Sequence, residues 1–268
     1  MRDLQSWLSR SALRRLAVPS VLAITLAVSS CAAFGDGDAA STRSIAVVDA
    51  SAQAAALAAE AGHDYQAAAG SWTNLYQRHP DDPSIALNLA RNLRYAGQMQ
   101  PAIDVASGFM ERHGASAPLL TELGKDYLAA DRLGLAARTL RQAVDAAPKD
   151  WNAASALGVA LDYQGNHSEA QQTYQRALAL SPDNPQLLNN LGLSQAEGGH
   201  LTEAEATLQQ AADQPKATTQ VRQNLALVKA LSGDATAAER LSRQDLPPEM
   251  ARANSTYYRL LAGAARLP

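Results

Sequence analysis

The side chains able to do chemistry are few in this 268-residue chain, and they do not fall into catalytic patterns. Histidine could bind a metal or transfer a proton, but none of the five forms an HExxH motif or shows another ligand spacing. They are His63, His79, His113, His167 and His200, and most lie near predicted turns or helix ends. GxSxG and phosphate-loop motifs are also missing. The sequence therefore predicts a non-enzymatic protein with no metal site and no cofactor.

The remaining reactive side chain is Cys31, the single thiol of the chain, which can form no internal disulfide. It follows an arginine-containing start, a short apolar segment at 16–28 and two serines. This order is typical of an export signal. The apolar segment is short for a membrane-spanning helix, which needs about 20 residues.

Val28-Ser29-Ser30-Cys31 resembles the lipobox of bacterial lipoproteins. The resemblance implies that Cys31 becomes the first mature residue and carries the lipid; the alternative is an ordinary signal peptide with a chance cysteine. Ala32 stands where aspartate is associated with inner-membrane retention, which implies the outer membrane. We therefore predict a lipoprotein signal peptide at 1–30, and at 31–48 the lipidated cysteine and a flexible tether.

Beyond the tether, small and apolar residues recur with a period of 34, which is typical of the tetratricopeptide repeat (TPR). Alanine occupies one register at Ala68, Ala102, Ala136, Ala170, Ala204 and Ala238. Leucine followed by glycine or alanine occupies another at Leu89, Leu123, Leu157, Leu191 and Leu225. We predict an all-α TPR solenoid, a right-handed superhelix of about six helix-turn-helix repeats with a C-terminal capping helix.

The period also gives the repeat boundaries. The predicted units are 49–82, 83–116, 117–150, 151–184, 185–218 and 219–243, followed by a capping helix and tail at 244–268. Asp82-Pro83 and Asn184-Pro185 place a capping side chain before a proline suited to the first helical turn. Gly165, Gly199 and Gly233 are predicted to end first helices. The capping helix is expected to bury Met250, Tyr257, Leu260 and Leu261.

Resemblance to TPR proteins implies a concave groove lined by the first helix of each unit. The residues carried over to that groove are Asn88, Arg91, Arg94, Tyr95, Glu122, Lys125, Asp162, Tyr163, Asn189, Asn190, Glu197, Gln223 and Asn224. Arg91, Arg94 and Lys125 form either a basic spot that binds a carboxylate or a set of solvated surface charges. Asn190 and Asn224 either bond to a peptide backbone or stabilise the fold as buried amides.

The lipobox, the repeats and the tail together resemble the TadD-type lipoproteins of the tight-adherence (Flp) pilus system. The matching tail segments are Gln223-Asn224-Leu225-Ala226-Leu227, Asp245-Leu246-Pro247-Pro248 and Tyr257-Tyr258-Arg259-Leu260. The resemblance implies an adaptor on the periplasmic side of the outer membrane, anchored there by lipid. Its expected partners are the secretin or other pilus-assembly components. The net charge of −3 disfavours nucleic acid as a partner.

Two other functions stay open at this point. One is a general periplasmic TPR lipoprotein that scaffolds cell-envelope enzymes or proteases. The other is a soluble periplasmic co-chaperone, which would need no lipid on Cys31.

Overall fold

The structure, a computed structural model, describes the backbone of residues 37–264 and the side chains of residues 46–263. The predicted signal peptide (1–30) and Cys31 lie outside these ranges. Of the first compact unit, 1–44, only helical residues 37–44 are described, and the second unit spans 45–268. None of the described helices is both long and apolar enough to cross a bilayer.

Thirteen helices account for the regular structure of the described residues, and no strand occurs among them. They are α1 (Gly37–Ala61), α2 (Tyr65–Arg78), α3 (Pro83–Tyr95), α4 (Met99–His113), α5 (Ala117–Ala129), α6 (Leu133–Ala146), α7 (Trp151–Tyr163), α8 (His167–Leu180), α9 (Pro185–Glu197), α10 (Leu201–Ala212), α11 (Thr219–Leu231), α12 (Ala235–Asp245) and α13 (Pro248–Ala264).

Consecutive helices pair into hairpins, and the hairpins stack. The second helix of each pair, such as α4, packs on its own first helix and on the first helix of the next pair. The first helices α3, α5, α7, α9 and α11 also contact one another in that order. A single hairpin cannot bury its apolar face, so stacking supplies the core, and the predicted all-α solenoid is confirmed.

Size complementarity inside each hairpin allows the two helices to approach closely. A Cβ built on Gly158 of α7 would lie 2.5 Å from Cε1 of Tyr174 on α8. The same clash recurs between Gly124 and Leu140 and between Gly192 and Leu208. Each pair joins the eighth and twenty-fourth residues of a unit, so the small residue after the repeated leucine makes room for one large side chain.

One left-handed residue ends the turn between the two helices of each unit. The residues in this register are His63, Gly97, Asp131, Gly165, Gly199 and Gly233, with φ between 57° and 93°. The prediction that Gly165, Gly199 and Gly233 end first helices is confirmed. The sequence analysis did not assign this role to His63, Gly97 or Asp131. His63 and Asp131 carry no glycine signal, because non-glycine residues adopt this conformation less readily.

Both proline-containing helix starts are also confirmed. The Asp82 carboxylate accepts hydrogen bonds from the backbone N–H groups of Ser84 and Ile85, at 2.8 and 3.3 Å. Asn184 caps α9 in the same way, with Pro185 as the first helical residue. These contacts satisfy backbone donors that the first helical turn leaves unpaired.

The expected tether is not borne out beyond residue 36, since α1 begins at Gly37 and runs through residues 37–48 as helix. Among the described side chains of this segment, 46–48, Val47 and Val48 are exposed, so these residues offer no buried stripe that periodicity could have detected. Alanine has the highest helix propensity of any residue, and alanine recurs throughout α1. Local preference therefore extends the helix ahead of its first packed turn.

The capping helix forms, but of the four residues expected to be buried only Leu261 packs against the last hairpin, where it is half-buried. Its buried residues are Ala251, Ser255, Tyr258 and Ala262, whereas Met250, Tyr257 and Leu260 are exposed. Tyr258 packs with Ala226, Ala230 and Ala238. The end of the last hairpin is lined by alanines, so it accommodates one aromatic ring and further small residues rather than a row of large side chains.

Candidate functional site on the first helices

Polar side chains bridge successive first helices in a fixed register. We call each bridge an inter-repeat rung: it joins the twelfth residue of one unit to the tenth residue of the next. The rungs among the described residues are Glu60–Asn92 (2.7 Å), Arg94–Asp126 (2.9 Å) and Asp162–Ser194 (2.6 Å). The 34-residue period that repeats the core therefore also repeats a polar position between neighbouring repeats.

The first rung is built around one carboxylate oxygen. Glu60 Oε1 accepts a hydrogen bond from the indole N–H of Trp72 at 2.7 Å and from Nδ2 of Asn92 at 2.7 Å. Trp72 and Asn92 are both buried. A buried donor without a partner costs free energy, so Glu60 holds the first two repeats together.

The second rung is an ion pair with two acids. Arg94 Nε donates to Asp126 Oδ1 at 2.9 Å, and its Nη2 donates to Glu122 Oε1. Asp126 is fully buried, and its Oδ2 has no hydrogen-bond partner among the described residues. Burial, followed by the charge of Glu122, raises the pKa of Asp126 to about 7. Burial by itself would lower the pKa of the Arg94 guanidinium. The negative charges of Glu122 and Asp126 have the larger combined effect, so the pKa is raised.

Arg94 is therefore a structural residue and not the free basic contact that the sequence suggested. Its side chain is only 13% exposed. Arg91 is more accessible: its Nη1 lies 3.4 Å from Asn88 Oδ1, and its Nε lies 3.7 Å from Glu122. Lys125 is half-buried and donates to Asn152 Oδ1 at 3.2 Å. Burial lowers the pKa of Lys125 because it desolvates the ammonium.

An exposed aromatic ring lies beside these groups. Tyr95 is 52% exposed; the Arg94 guanidinium lies 4.6 Å from its ring centre, and the Tyr65 ring lies 4.8 Å away. We define the inner-face patch as Asn88, Arg91, Tyr95, Lys125 and Asn152, which lie on α3, α5 and α7. It combines two cations, two amides and one aromatic ring.

The structure places the amides of Asn190 and Asn224 in different environments. Asn224 is only 4% exposed and donates to Asn189 Oδ1 at 2.8 Å, so its side chain is unavailable to a peptide, contrary to the groove expectation. Asn190 is half-buried, and its Nδ2 lies 3.4 Å from Ser155 Oγ. Asn189 and Asn190 also line a surface cavity of about 880 Å³. The expectation of a buried amide thus holds for Asn224, and Asn190 keeps access to solvent.

The third rung gathers groups that sequence patterns did not bring together. Asp162 Oδ1 accepts a hydrogen bond from Ser194 Oγ and lies 3.1 Å from His167 Nδ1, while Oδ2 accepts the Tyr174 O–H at 3.0 Å. Glu197 Oε2 lies 3.8 Å from the same His167 nitrogen. Burial raises the pKa of Asp162. The sequence offered one sign that these groups would meet: Asp162 and Glu197 occupy neighbouring groove positions, the twelfth and the thirteenth, in two successive first-helix segments that could stack.

Comparisons with known proteins agree with this architecture. A tetratricopeptide-repeat family model matches residues 121–185 and 155–218. The TPR protein TTC0263 of Thermus thermophilus is 21% identical, with a TM-score of 0.57, over 66% of this chain and 98% of its own. YrrB, a TPR protein described as having an unusual peptide-binding site, is 18% identical, with a TM-score of 0.51, over 74% of this chain and 98% of its own. Curated proteins gave no match.

The fold is that of a TPR solenoid, and the repeat matches cover residues 121–218 of the chain. At identities below 25%, the structural likenesses establish the fold alone. They do not distinguish between TPR proteins of different function, so the TadD-type assignment stays a prediction from sequence.

Proposed function

We propose that this protein is a non-enzymatic adaptor that binds an acidic segment of a partner protein on the inner-face patch. The observation that carries the proposal is a charge imbalance. Arg91, Arg94 and Lys125 lie among three carboxylates: Glu122 and Asp126 pair with the arginines, and the charge of Asp150 acts on Lys125. Because the pKa of Asp126 is raised to about 7, that carboxyl is only partly ionised at neutral pH. The surroundings of the patch are therefore net positive and attract an acidic ligand.

The patch has the groups that such a ligand needs. Arg91 and Lys125 can each form charge-assisted hydrogen bonds with carboxylates. Asn88 and Asn152 carry amides that can pair with the backbone of an extended peptide. Tyr95 offers an exposed ring for apolar contact. These groups bind without making or breaking a covalent bond, which suits an adaptor.

The location and the partner are proposed from the sequence resemblances. Lipid on Cys31 would hold the repeats at the periplasmic face of the outer membrane, and several acyl chains would make the anchor stable. The TadD-type resemblance supports a role in Flp pilus assembly, with the secretin or another pilus component as the source of the bound segment. The repeats would then keep that segment close to the membrane while the pilus machine assembles.

A peptide titration tests the patch. Fluorescence anisotropy with a labelled oligoglutamate peptide should show saturable binding that weakens with added salt, and an oligolysine peptide of equal length should bind less tightly. Combining Arg91→Ala with Lys125→Ala should weaken oligoglutamate binding at least about tenfold. Arg138→Ala, an exposed arginine on the second helix α6, is the matched control and should leave binding unchanged. Equal affinity for both peptides, or no effect of the double variant, would overturn the proposed patch.

Cell fractionation tests the anchor. Cys31→Ser should move the protein out of the membrane fraction and abolish labelling by a palmitate analogue. Ser30→Ala keeps a small residue before the cysteine and should remain membrane-bound. If Cys31→Ser is recovered with the membranes as fully as the unaltered protein, the lipid anchor is excluded. Recovery of the unaltered protein itself in the soluble fraction would favour the soluble co-chaperone.

Crosslinked pull-down from envelope extracts tests the partner. Recovery of secretin or other pilus components, reduced by the double variant and retained by Arg138→Ala, is the expected result. Recovery of peptidoglycan enzymes or proteases without pilus components would favour the general envelope scaffold instead.

A further inference from the structure

Three side chains of metal-ligand type converge where the fourth and fifth repeats meet. Asp162 lies near the end of α7, His167 is the first residue of α8, and Glu197 is the last residue of α9. One ligand atom from each lies within 4.8 Å of the other two. His167 Nδ1 is 3.1 Å from Asp162 Oδ1 and 3.8 Å from Glu197 Oε2. The inner-face patch shares none of these residues.

The two distances that His167 makes are close to those of a tetrahedral metal site. Bonds of about 2.0 to 2.1 Å place tetrahedral ligand atoms about 3.3 to 3.4 Å apart. The Asp162–His167 distance of 3.1 Å is close to this tetrahedral spacing. The His167–Glu197 distance of 3.8 Å is longer than the tetrahedral spacing by a few tenths of an ångström. The Glu197 side chain is 45% exposed, so it has room to rotate inward.

The local charge favours a cation. Within residues 46–263, no arginine or lysine forms an ion pair with Asp162 or Glu197. The second rung differs, because Arg94 supplies a built-in cation at the repeat position that Asp162 occupies two units later. The two carboxylates are thus incompletely compensated by the protein itself.

The half-buried carboxylate of Asp162 is already oriented by neighbours that would not need to move. Ser194 Oγ donates to Asp162 Oδ1 at 2.6 Å, and the Tyr174 hydroxyl donates to Oδ2 at 3.0 Å. Ser194 and Tyr174 are both buried, so these bonds fix the carboxylate plane. Outer hydrogen bonds of this kind orient the ligands of protein metal sites and strengthen binding.

We propose that Asp162, His167 and Glu197 bind a divalent transition-metal ion, with Zn²⁺ the best match to one imidazole and two carboxylates. Three protein ligands leave a fourth position for water. The lone pair of His167 Nδ1 would bind the metal, and the ring proton would reside on Nε2. Since Glu197 comes from the next repeat, the ion ties the fourth repeat to the fifth.

Cobalt titration is the direct test. The purified full chain, freed of metal by a chelator, is titrated with Co²⁺, whose visible absorption is intense in four-coordinate sites. We expect one equivalent to bind and Zn²⁺ to displace it. His167→Gln and Glu197→Gln should each weaken binding at least about tenfold, since even outer-shell changes cost about 10- to 100-fold. His200→Gln, an exposed histidine at the corresponding turn of the fifth repeat, is the control and should bind as the unaltered chain does.

Thermal unfolding gives a second readout that does not depend on the cobalt spectrum. Zn²⁺ should raise the Tm of the unaltered chain and of His200→Gln, and it should leave the Tm of His167→Gln unchanged. Glu197→Gln alters a partly exposed side chain, so it keeps the test available if His167→Gln does not fold. Absence of Co²⁺ uptake, undiminished affinity in both ligand variants, or equally tight binding of Mg²⁺ and Zn²⁺ would overturn the proposal.

Discussion

Gly158 and Tyr174 form a pair in which the absence of one side chain makes room for the other. A Cβ on Gly158 would lie 2.5 Å from Cε1 of Tyr174, well inside van der Waals contact. Tyr174 is 1% exposed, and its hydroxyl reaches Asp162 at 3.0 Å. The glycine therefore sets both the packing of the fourth hairpin and the position of the carboxylate in the third rung.

Gly158→Ala should lower the free energy of unfolding by about 1 to 3 kcal/mol, because Tyr174 must shift to accommodate the methyl group. Gly134→Ala is the matched control: a Cβ there meets nothing within 4 Å, so stability should be unchanged or rise by up to about 1 kcal/mol. Urea denaturation of both variants measures the difference. Equal effects of the two substitutions would show that the close approach does not limit packing.

Glu60→Ala should destabilise the first two repeats by about 1 to 3 kcal/mol, because the buried Trp72 indole N–H and one Asn92 N–H lose their acceptor. Glu60→Gln retains an acceptor oxygen at the same place and should lose less. The fluorescence of Trp72 during chemical unfolding, measured in a background that carries Trp7→Phe and Trp151→Phe, reports on this region. Similar losses in the two variants would mean that the charge of Glu60, and not its hydrogen bonds, stabilises the rung.

The pH dependence of stability should show the titration of Asp126. Its pKa is about 7 in the folded protein, against an ordinary value of 3.8, so between these values the folded chain holds a proton that the unfolded chain releases. The contribution of Asp126 to the free energy of unfolding is therefore fully present below about pH 4, and it is lost as the pH rises through about 7. Asp126→Asn cannot ionise, so its unfolding free energy should fall less between about pH 5 and 8 than that of the unaltered chain. We expect a difference on the order of 1 kcal/mol or more.

Urea denaturation at a series of pH values measures this difference. Asp145→Asn changes an exposed carboxylate on α6 and should preserve the pH profile of the unaltered chain. Parallel profiles for Asp126→Asn and the unaltered chain would contradict the raised pKa.

Tyr258→Ala should release α13 from the last hairpin. Tyr258 is 4% exposed and packs with Ala226, Ala230 and Ala238, and truncating a buried aromatic residue costs up to about 3 to 5 kcal/mol. Amide hydrogen exchange should accelerate in α11, α12 and α13, the elements that lose this contact. Tyr257→Ala changes the exposed neighbour and should alter stability by no more than about 0.5 kcal/mol. If both variants exchange alike, α13 does not cap the solenoid through Tyr258.

Features that depend on local chemistry and on the period were predictable from the residues. Asp82 and Asn184 cap helices because a short polar side chain reaches the first free backbone N–H groups in any such context. Gly165 ends a helix because it adopts a positive φ without strain. The buried face of α13 was not predictable, since it depends on the alanines that line the preceding hairpin.

The sequence by itself determined the repeated hairpins, because each 34-residue unit carries its own small positions, leucines, turn and caps. Only the tertiary structure decided what the polar side chains of the first helices do. Arg94 could not be assigned to a groove contact or an internal pair until Asp126, 32 residues away, was placed beside it. His167 likewise became a candidate ligand only when stacking brought Glu197 of the next repeat within 3.8 Å. The physical reason is that the fate of a charged group depends on its burial and on its nearest charges, and in a stacked array both come from the neighbouring repeat.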